Sequence, residues 1–217
     1  MRRKLPEGLY VITDPDCCAV LGLESSVSAA ISGGAAVIQY RAKTASADQR
    51  LRDARALRLL THRHDVTFIV NDDPELAATV DADGVHLGMD DADPGTARAL
   101  LGDQTILGVS CYDSLDRAHD AQSAGCDYVA FGSAFPSTTK PDACRASLDL
   151  FVRASRQLEI PIVAIGGITP ANARQLLAAG CHSLAVITGV FGAPDIRRAA
   201  AAYARLFDPD SYQDRLE

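Results

Sequence analysis

Eight short apolar runs alternate with helical segments along the whole chain, and this alternation constrains the fold more than any other feature. Each run is β-prone and has the length typical of a strand that is buried on both faces. The runs are Leu9–Thr13, Val37–Arg41, Phe68–Asn71, Gly84–Leu87, Thr105–Val109, Tyr128–Phe131, Ile162–Ile165 and Leu184–Ile187. They predict an α/β fold, a closed (β/α)8 TIM barrel, because right-handed crossovers bring the eighth strand beside the first.

The 217 residues suit a single domain over 1–217, with a barrel core at 8–205 and a polar tail at 208–217. An open doubly wound sheet is the alternative. Its GxGxxG turn after the first strand is missing, and Thr13-Asp14-Pro15-Asp16 stands there instead. Between later runs, Thr169-Pro170 is a typical helix start and predicts a helix over Ala171–Ala179.

Composition narrows the class of partner. The chain is 47% hydrophobic and has a formal net charge of -7, which is the wrong sign for gripping nucleic acid or an anionic membrane. No apolar run approaches the roughly 18 residues of a membrane span, and no secretory leader is expected at the start. Six scattered cysteines lack zinc or disulfide spacing and predict buried thiols in a reducing cytoplasm. We therefore expect a cytoplasmic protein with small-molecule partners.

Polar residues follow nearly every apolar run, at the end of a barrel where chemistry is usually found. Gln39, Arg41 and Lys43 alternate along the second run and its exit, so their side chains are expected to face the same way. Arginine and lysine bind phosphate oxygens, and glutamine can recognise the edge of a heterocycle. This pattern predicts a site for an anionic ring compound rather than a solvated loop.

Acidic residues follow the third and fourth runs. Asp72 and Asp91 can together hold one Mg²⁺ ion that keeps several waters and takes its other ligands from a diphosphate. Asp73 and Asp93 each precede a proline and are predicted to cap helices. Asp90 is a competing metal ligand that spacing alone does not exclude.

Two glycine-containing turns, Gly166-Gly167 and Thr188-Gly189, follow the seventh and eighth runs and predict a backbone cradle for a phosphate group. The segment Ser137–Lys140 is rich in hydroxyl groups and can grip phosphate oxygens or form a mobile loop. His86 is interpreted as a satisfied interior histidine. The sequence has no arrangement typical of a protein nucleophile.

Several of these motifs occur together in one known family. They are Gly8–Asp14, Gln39–Lys43, Val70–Asp72, Ala82–Gly88 with Asp91, Gly108–Ser110, Asp127–Lys140 and Ala164–Pro170. In this order, from about residue 8 to residue 205, the chain resembles the thiamine-phosphate synthase family. Several motifs in the same order are far more specific than any one of them.

The resemblance implies a transferase that joins hydroxymethylpyrimidine diphosphate to a thiazole phosphate, with Mg²⁺ bound by Asp72 and Asp91. It implies that the pyrimidine diphosphate is held by Gln39, Tyr40, Arg41, Ala42, Lys43, Asn71, Ser110 and Lys140. Among these residues, the implied catalytic set is Arg41, Lys43, Ser110 and Lys140. The thiazole phosphate ligands that it implies are Ser137, Thr138, Thr139, Gly167, Ile187 and Thr188.

Three positions depart from the family pattern, since Ala42, Met89 and Ser137 stand where glutamate, glutamine and threonine are common. Strand alternation directs Ala42 away from the ligands, and serine keeps the hydroxyl group. Two alternative functions are a thiazole tautomerase of similar fold and a non-catalytic barrel that binds a phosphorylated metabolite. The complete set of residues expected to bind the diphosphate favours the synthase. The sequence is also compatible with assembly into a homo-oligomer.

Overall fold

The computed structural model describes residues 3–136 and 144–208. Its eight strands are β1 (Gly8–Ile12), β2 (Ala35–Tyr40), β3 (Thr67–Asn71), β4 (Gly84–Leu87), β5 (Ile106–Tyr112), β6 (Tyr128–Phe131), β7 (Ile162–Ile165) and β8 (Ser183–Val186). All neighbours are parallel, and β8 pairs with β1 to close the barrel. The predicted (β/α)8 TIM barrel is confirmed, and the open-sheet alternative is wrong because the first strand has partners on both sides.

All eight predicted runs coincide with strands, but some ends differ. β2 ends at Tyr40, so Arg41 and Lys43 lie in the loop that follows, and Gln39 alone of the three belongs to the strand. β5 continues to Tyr112, three residues beyond the predicted end. Hydrogen bonding to a neighbouring strand decides where a strand stops, and apolar composition does not report it.

Helices follow the strands around the outside of the barrel. Within the described residues they are α1 (Pro15–Cys18), α2 (Leu23–Ser32), α3 (Ala47–Arg63), α4 (Pro74–Thr79), α5 (Pro94–Leu101), α6 (Leu115–Ser123), α7 (Leu148–Gln157), α8 (Ala173–Ala178), α9 (Thr188–Phe191) and α10 (Ile196–Ala204). In this part of the chain, no helix combines the length and the apolar character needed to cross a membrane.

The predicted helix caps have mixed outcomes. Asp73 and Asp93 cap α4 and α5 through their side chains, as expected. The helix predicted from Ala171 begins at Ala173 instead. The Asn172 side chain accepts a hydrogen bond from the Thr169 N–H at 2.8 Å, and this turn occupies the place of the first helical turn.

Side chains alternate between two apolar layers, as strand geometry requires. One layer fills the barrel interior and consists of Leu5, Tyr10, Ile12, Val37, Ile69, Ile106, Tyr128, Ala130, Val163 and Ala185. The other layer lies between strands and helices and includes Leu9, Val11, Ile38 and Tyr40. Gly108 on β5 makes room for the Tyr128 ring, since a Cβ atom there would overlap the ring. The barrel is therefore packed, and a ligand has access only at its ends.

All six cysteines are free thiols. Four are buried, as predicted, but Cys144 is exposed and Cys17 is partly exposed. The expectation of burial is therefore wrong for Cys144. Its position after β6 lies outside both apolar layers, which explains the difference.

Charged residues at the amino end of the strands are paired. Asp127 accepts hydrogen bonds from the Leu107 N–H at 2.8 Å and from the Arg98 guanidinium at 2.6 Å. Asp83 similarly accepts the Phe68 N–H at 2.9 Å and pairs with Arg58. In both cases the side chain of an aspartate just before one strand accepts the N–H of the second residue of a neighbouring strand.

Candidate active site

The carboxyl end of β2 separates neighbouring side chains by strand alternation. Gln39 is 2% exposed and faces the barrel interior, where its Nε2 donates a hydrogen bond to the Tyr10 hydroxyl at 2.8 Å. Tyr40 faces outward, and its hydroxyl donates to Asp53 on α3 at 3.0 Å. Gln39 can therefore reach a ligand in the barrel with its side chain, whereas Tyr40 can do so only with its backbone.

Beyond β2, the two predicted cations have different surroundings. The Lys43 ammonium lies 3.0 Å from an Asp72 oxygen. Arg41 is fixed by its backbone N–H, which donates to Thr13 Oγ1 at 2.9 Å, and it lines a cavity of about 570 Å³ that neither Asp72 nor Asp91 lines. Ala42 lines the same cavity. The structure thus brings Lys43 to the acidic residues, and Arg41 has no carboxylate partner among residues 3–136 and 144–208.

Asp72 and Asp91 come together at the carboxyl ends of β3 and β4, close enough for each carboxyl group to shift the pKa of the other. Asp72 has a φ angle of 63°, in the left-handed region that aspartate tolerates better than most residues. Its N–H donates to the His86 carbonyl at 2.8 Å, which ties the end of β3 to β4. Asp91 accepts the Gly88 N–H at 2.6 Å. Asp90 is exposed, so the geometry favours Asp91 over Asp90 as the partner of Asp72.

The two carboxyl groups influence each other's protonation. Burial raises the pKa of Asp91, and the adjacent Asp72 carboxylate raises it further. At Asp72, burial acts in the same direction, but the hydrogen bond with Asp91 and the Lys43 ammonium outweigh it, so the pKa of Asp72 is lowered. The two groups therefore titrate as a pair, with a proton retained on Asp91 more readily than on Asp72. A divalent cation would replace that proton and relieve the repulsion.

His86 and Ser110 stand beside this pair, on β4 and β5. Both ring nitrogens of His86 have partners, namely the Tyr128 hydroxyl at Nδ1 and the Ser110 hydroxyl at Nε2, each at 2.9 Å. Burial lowers the pKa of His86 to about 4 against the smaller opposing effect of Asp72. The interpretation of His86 as a satisfied interior histidine is confirmed. Asn71 lies opposite His86 in the register of β3 and β4, at the same end of the barrel.

The opposite side of the barrel mouth is built from backbone. Gly166 and Gly167 have φ angles of 99° and 61°, and a Cβ atom on Gly167 would collide with the Pro136 carbonyl. The Asn172 side chain donates to the Gly167 carbonyl at 3.0 Å and holds the turn. Ile187 and Thr188 stand at the start of α9, whose first N–H groups lack helical partners. Thr188 and Gly189 belong to α9, and a phosphate cradle at this side of the mouth stays a prediction.

The predicted hydroxyl-rich segment lies outside the described residues, and so do all four of its members, Ser137, Thr138, Thr139 and Lys140. The residues on either side of it are held together. The Ser133 N–H donates to the Cys144 carbonyl at 2.6 Å, and the Phe135 N–H donates to the Gly166 carbonyl at 3.0 Å. Both described ends of the loop after β6 therefore lie near the turn at Gly166 and Gly167.

The sequence reasoning missed Tyr10 and Tyr128, which lie inside the barrel between Gln39 and His86. Each is embedded in an apolar strand, so its period-two position predicts an inward side chain but does not reveal a hydroxyl partner. Thr13, whose side-chain oxygen accepts a hydrogen bond from the Arg41 N–H, was also missed. These contacts join distant strands, which is why no local pattern signals them.

A family model described as thiamine monophosphate synthase matches residues 9–190. Among curated proteins, the thiamine-phosphate synthase of Thiobacillus denitrificans is 52% identical over 207 residues, covering 94% of this chain and 97% of that protein. The thiamine-phosphate synthase of Aromatoleum aromaticum is 52% identical over 201 residues, covering 93% and 96%. Both relatives therefore correspond to this chain over nearly their full length.

Solved structures show the same fold. The thiamine phosphate pyrophosphorylase of Pyrococcus furiosus superposes with a TM-score of 0.84 at 38% identity, covering 92% of this chain and 94% of that one. A 3-hexulose-6-phosphate synthase superposes with a TM-score of 0.64 at 17% identity, covering 92% and 99%. The second similarity concerns the fold alone, because (β/α)8 barrels carry many unrelated activities.

Proposed function

Because the chain belongs to the thiamine-phosphate synthase family, we propose that it joins 4-amino-2-methyl-5-hydroxymethylpyrimidine diphosphate to a thiazole phosphate. The reaction yields thiamine phosphate and diphosphate, and the protein is a transferase. The observation that carries the proposal is the acidic pair Asp72 and Asp91 beside Lys43 at the barrel mouth. Such a site suits a diphosphate that arrives with a divalent cation.

The residues present fit Mg²⁺. Two carboxylates offer hard oxygen ligands, and among residues 3–136 and 144–208 no group of three or more acidic, histidine or cysteine side chains competes for a metal. A site with two protein ligands leaves the remaining positions to water and phosphate oxygens, as Mg²⁺ prefers. The bound ion would neutralise the charge that develops on the departing diphosphate. Asp72 and Asp91 are the proposed ligands.

The other charged groups complete a site for the pyrimidine diphosphate. Lys43 is already beside the metal ligands, and Arg41 has no carboxylate partner among the described residues, so its guanidinium is available to phosphate oxygens. Gln39, Asn71 and Ser110 supply polar groups for the ring and its substituents. Tyr40 and Ala42 would contribute through the backbone, and Lys140 belongs to the proposed set by resemblance.

The backbone side of the mouth is the proposed site of the thiazole phosphate. The backbone N–H groups of Gly167, Ile187 and Thr188 can donate hydrogen bonds to a phosphate. Such a site needs no charged side chain. The loop after β6 starts and returns beside this cradle, which supports the assignment of Ser137, Thr138 and Thr139 to the same substrate. Two phosphorylated substrates would thus enter from opposite sides of one opening.

Catalysis by this chain would rest on charge and position. Lys43 and Arg41 stabilise negative charge on the departing diphosphate, and the interior wall around Gln39 and Ser110 orients the ring. The carbon–oxygen bond breaks with its electron pair on the diphosphate, and the thiazole nitrogen then donates a pair to the pyrimidine methylene carbon. Buried thiols such as Cys111, whose pKa is raised to about 12 by burial, are unsuitable as nucleophiles.

A direct assay tests the function. Purified protein is mixed with both substrates and Mg²⁺, and thiamine phosphate is sought by mass spectrometry. We expect product with Mg²⁺ and at least about a hundredfold less when the ion is chelated. Absence of product in the presence of the ion would refute the synthase. Binding of a phosphorylated substrate without turnover would favour the non-catalytic barrel, and isomerisation of the thiazole alone would favour the tautomerase.

The relatives of about half identity carry the synthase name, and this observation favours the synthase over both alternatives. A cytoplasmic location and assembly into a homo-oligomer stay predictions from the sequence. Small-molecule substrates follow from the family.

A further inference from the structure

The backbone that follows β7 and the backbone that follows β8 flank the proposed thiazole phosphate site, and one side chain contacts both. Tyr203 on α10 is 2% exposed, and its hydroxyl donates a hydrogen bond to the Ile168 carbonyl at 2.9 Å. The same hydroxyl packs against Gly189 in α9, where a Cβ atom would overlap it. Tyr203 therefore ties the two backbone segments together from behind the site.

The turn after β7 depends on contacts from outside its two glycines. Gly166 and Gly167 have left-handed φ angles of 99° and 61°, and glycine adopts many other backbone conformations at little cost. Side chains hold the two carbonyl groups that come next. The Asn172 side chain donates to the Gly167 carbonyl at 3.0 Å, and Tyr203 holds the Ile168 carbonyl. The second contact connects the end of the turn to α10.

The hydrogen bond from Tyr203 is difficult to replace. Burial raises the pKa of Tyr203, so the hydroxyl keeps its hydrogen and donates it. Ile168 is 6% exposed, which leaves its carbonyl little access to water. A buried carbonyl that loses its donor finds another only if the backbone moves. Removal of the Tyr203 hydroxyl is therefore expected to release the end of the turn.

The close fit between Tyr203 and Gly189 gives a second contact that can be tested. Gly189 does not have a left-handed φ angle, so alanine at this position would be free of backbone strain. Its Cβ atom would instead overlap the Tyr203 hydroxyl and lie 2.9 Å from Val186 Cγ1. Packing against these side chains, and not backbone conformation, therefore explains why glycine suits this position.

We propose that Tyr203 is a positioning residue for the thiazole phosphate, and that its hydroxyl holds the turn after β7 and the backbone around Gly189 in the arrangement that receives the phosphate. The phosphate would contact backbone N–H groups, and Tyr203 would not touch it. Because both segments are held before the substrate arrives, binding does not have to order them, and affinity is higher. This inference rests on the proposed function, since it concerns one of the two proposed substrate sites.

Steady-state kinetics of Tyr203→Phe test the inference. The variant lacks only the hydroxyl, and its KM for the thiazole phosphate should rise about tenfold or more. Its KM for the pyrimidine diphosphate should stay within about twofold of the wild-type value and its kcat within about threefold, because most residues proposed for that substrate follow β2, β3 and β5. A general structural defect would not separate the two substrates in this way. Calorimetric titration with the thiazole phosphate measures the same change without turnover.

Ser183→Ala is the matched control. Ser183 is fully buried at the other end of β8, and its hydroxyl donates to the Pro6 carbonyl at 3.0 Å. The substitution therefore also removes a buried hydroxyl from a backbone carbonyl, but at the amino end of the barrel. Both KM values should stay at the wild-type level.

Gly189→Ala tests the same contact from the other side. The added methyl group displaces the Tyr203 hydroxyl, so KM for the thiazole phosphate should again rise about tenfold or more, with KM for the pyrimidine diphosphate unchanged. In Tyr203→Phe the displaced atom is already gone. The same alanine should then raise KM for the thiazole phosphate by less than about threefold.

The proposal is overturned if Tyr203→Phe keeps KM for the thiazole phosphate within about twofold, if it raises both KM values equally, or if the two substitutions multiply in the double variant. Circular dichroism identifies the variants that fold, and if Tyr203→Phe does not fold, a selective rise or its absence in Gly189→Ala decides. Formation of thiamine phosphate by the wild-type protein separates the two hypotheses. No product means that the proposed function fails, whereas product without a selective rise in the variants means that only the role of Tyr203 fails.

Discussion

The two ends of the barrel both carry aspartates, but these aspartates have different surroundings. At the amino end, Asp127 and Asp83 each hold a strand N–H group and an arginine. At the carboxyl end, Asp72 and Asp91 face each other, with Lys43 as the nearby cation. Paired opposite charges stabilise the fold, whereas two carboxylates in contact raise its energy until a cation joins them. The amino end is therefore organised for stability and the carboxyl end for a ligand.

The largest expected effect comes from Asp72→Asn, which tests the carboxyl end. The change removes one proposed metal ligand and one half of the acidic pair, and asparagine also tolerates a left-handed backbone. We expect kcat/KM to fall about a thousandfold, while the free energy of unfolding stays equal or rises. Steady-state kinetics and urea unfolding measure the two quantities.

Asp81→Asn is the matched control for that experiment. Asp81 also has a left-handed backbone, with φ 52°, but its side chain is 93% exposed. The control should change neither kcat/KM nor stability appreciably. Equal loss of activity in both variants would contradict the division between the two ends.

Arg98→Met tests the amino end. Arg98 donates to the carbonyl groups of Gly102, Thr105 and Gly125 and to Asp127, with its side chain 14% exposed. Its removal leaves Asp127 nearly buried without its cation, so the free energy of unfolding should fall by about 3 kcal/mol. At a temperature where the variant is folded, kcat/KM should stay at the wild-type value.

Arg153→Met provides the comparison at a solvent-exposed ion pair. Arg153 lies 3.7 Å from Asp149 on α7, and both side chains are more than half exposed. Its substitution should lower the free energy of unfolding by less than about 0.5 kcal/mol. A fall in kcat/KM in the folded Arg98 variant would show that the amino end also supports activity.

Burial of His86 at the carboxyl end makes the free energy of unfolding depend on pH. The pKa of His86 is about 4 in the folded protein against 6.5 for an ordinary histidine, so the unfolded chain binds the additional proton. Its contribution is constant above about pH 6.5 and lowers stability as the pH falls, by roughly 2 kcal/mol between pH 6.5 and 4.5. His86→Asn should remove that part of the slope in urea unfolding. His119→Asn, at the protein surface, should keep it, and equal slopes in wild type and His86→Asn would disprove the assignment.

The smallest expected change in stability comes from Asp93, an aspartate at the carboxyl end that caps a helix. Asp93 caps α5 by accepting the Thr96 N–H at 3.0 Å, and Asp93→Ala should lower stability by about 1 kcal/mol. Asp90→Ala removes an exposed neighbour that caps no helix and should change stability by less than about 0.5 kcal/mol. Both variants should keep wild-type kcat/KM. Loss of activity in Asp90→Ala would instead make Asp90 the partner of Asp72.

Local patterns in the sequence were sufficient for much of the fold. Apolar runs such as Gly84–Leu87 and Tyr128–Phe131 coincide with strands to the residue, because a strand that is buried on both faces must be apolar throughout. Asp73 and Asp93 were recognised as caps because a cap acts on the three residues that follow it. The helix predicted over Ala171–Ala179 is present but shorter, as Ala173–Ala178, because Asn172 bonds back to Thr169 and to Gly167 before the regular helix begins.

The sequence predicted the charged residues of the candidate site but not most of the contacts between them. Asp72, Asp91 and Lys43 could be named because acids and bases after strands are visible in sequence, and the barrel gathers strand ends at one opening. The sequence could not show that Tyr40 faces α3 or that Lys43 pairs with Asp72, because the course of the chain at and beyond the strand end decides these contacts. The line of hydrogen bonds from Gln39 to Ser110 was equally hidden, because its contacts join five different strands.

By itself, the sequence determined that eight buried strands alternate with helices, and which residues stand at the strand ends. Period, capping and charge are properties of neighbours along the chain, so they can be read without a fold. Only the tertiary structure decided which of these residues meet. Asp72 met Asp91 rather than Asp90, and Gln39 was joined to Ser110 through Tyr10, Tyr128 and His86, because closure of the barrel brings together side chains from strands far apart in sequence.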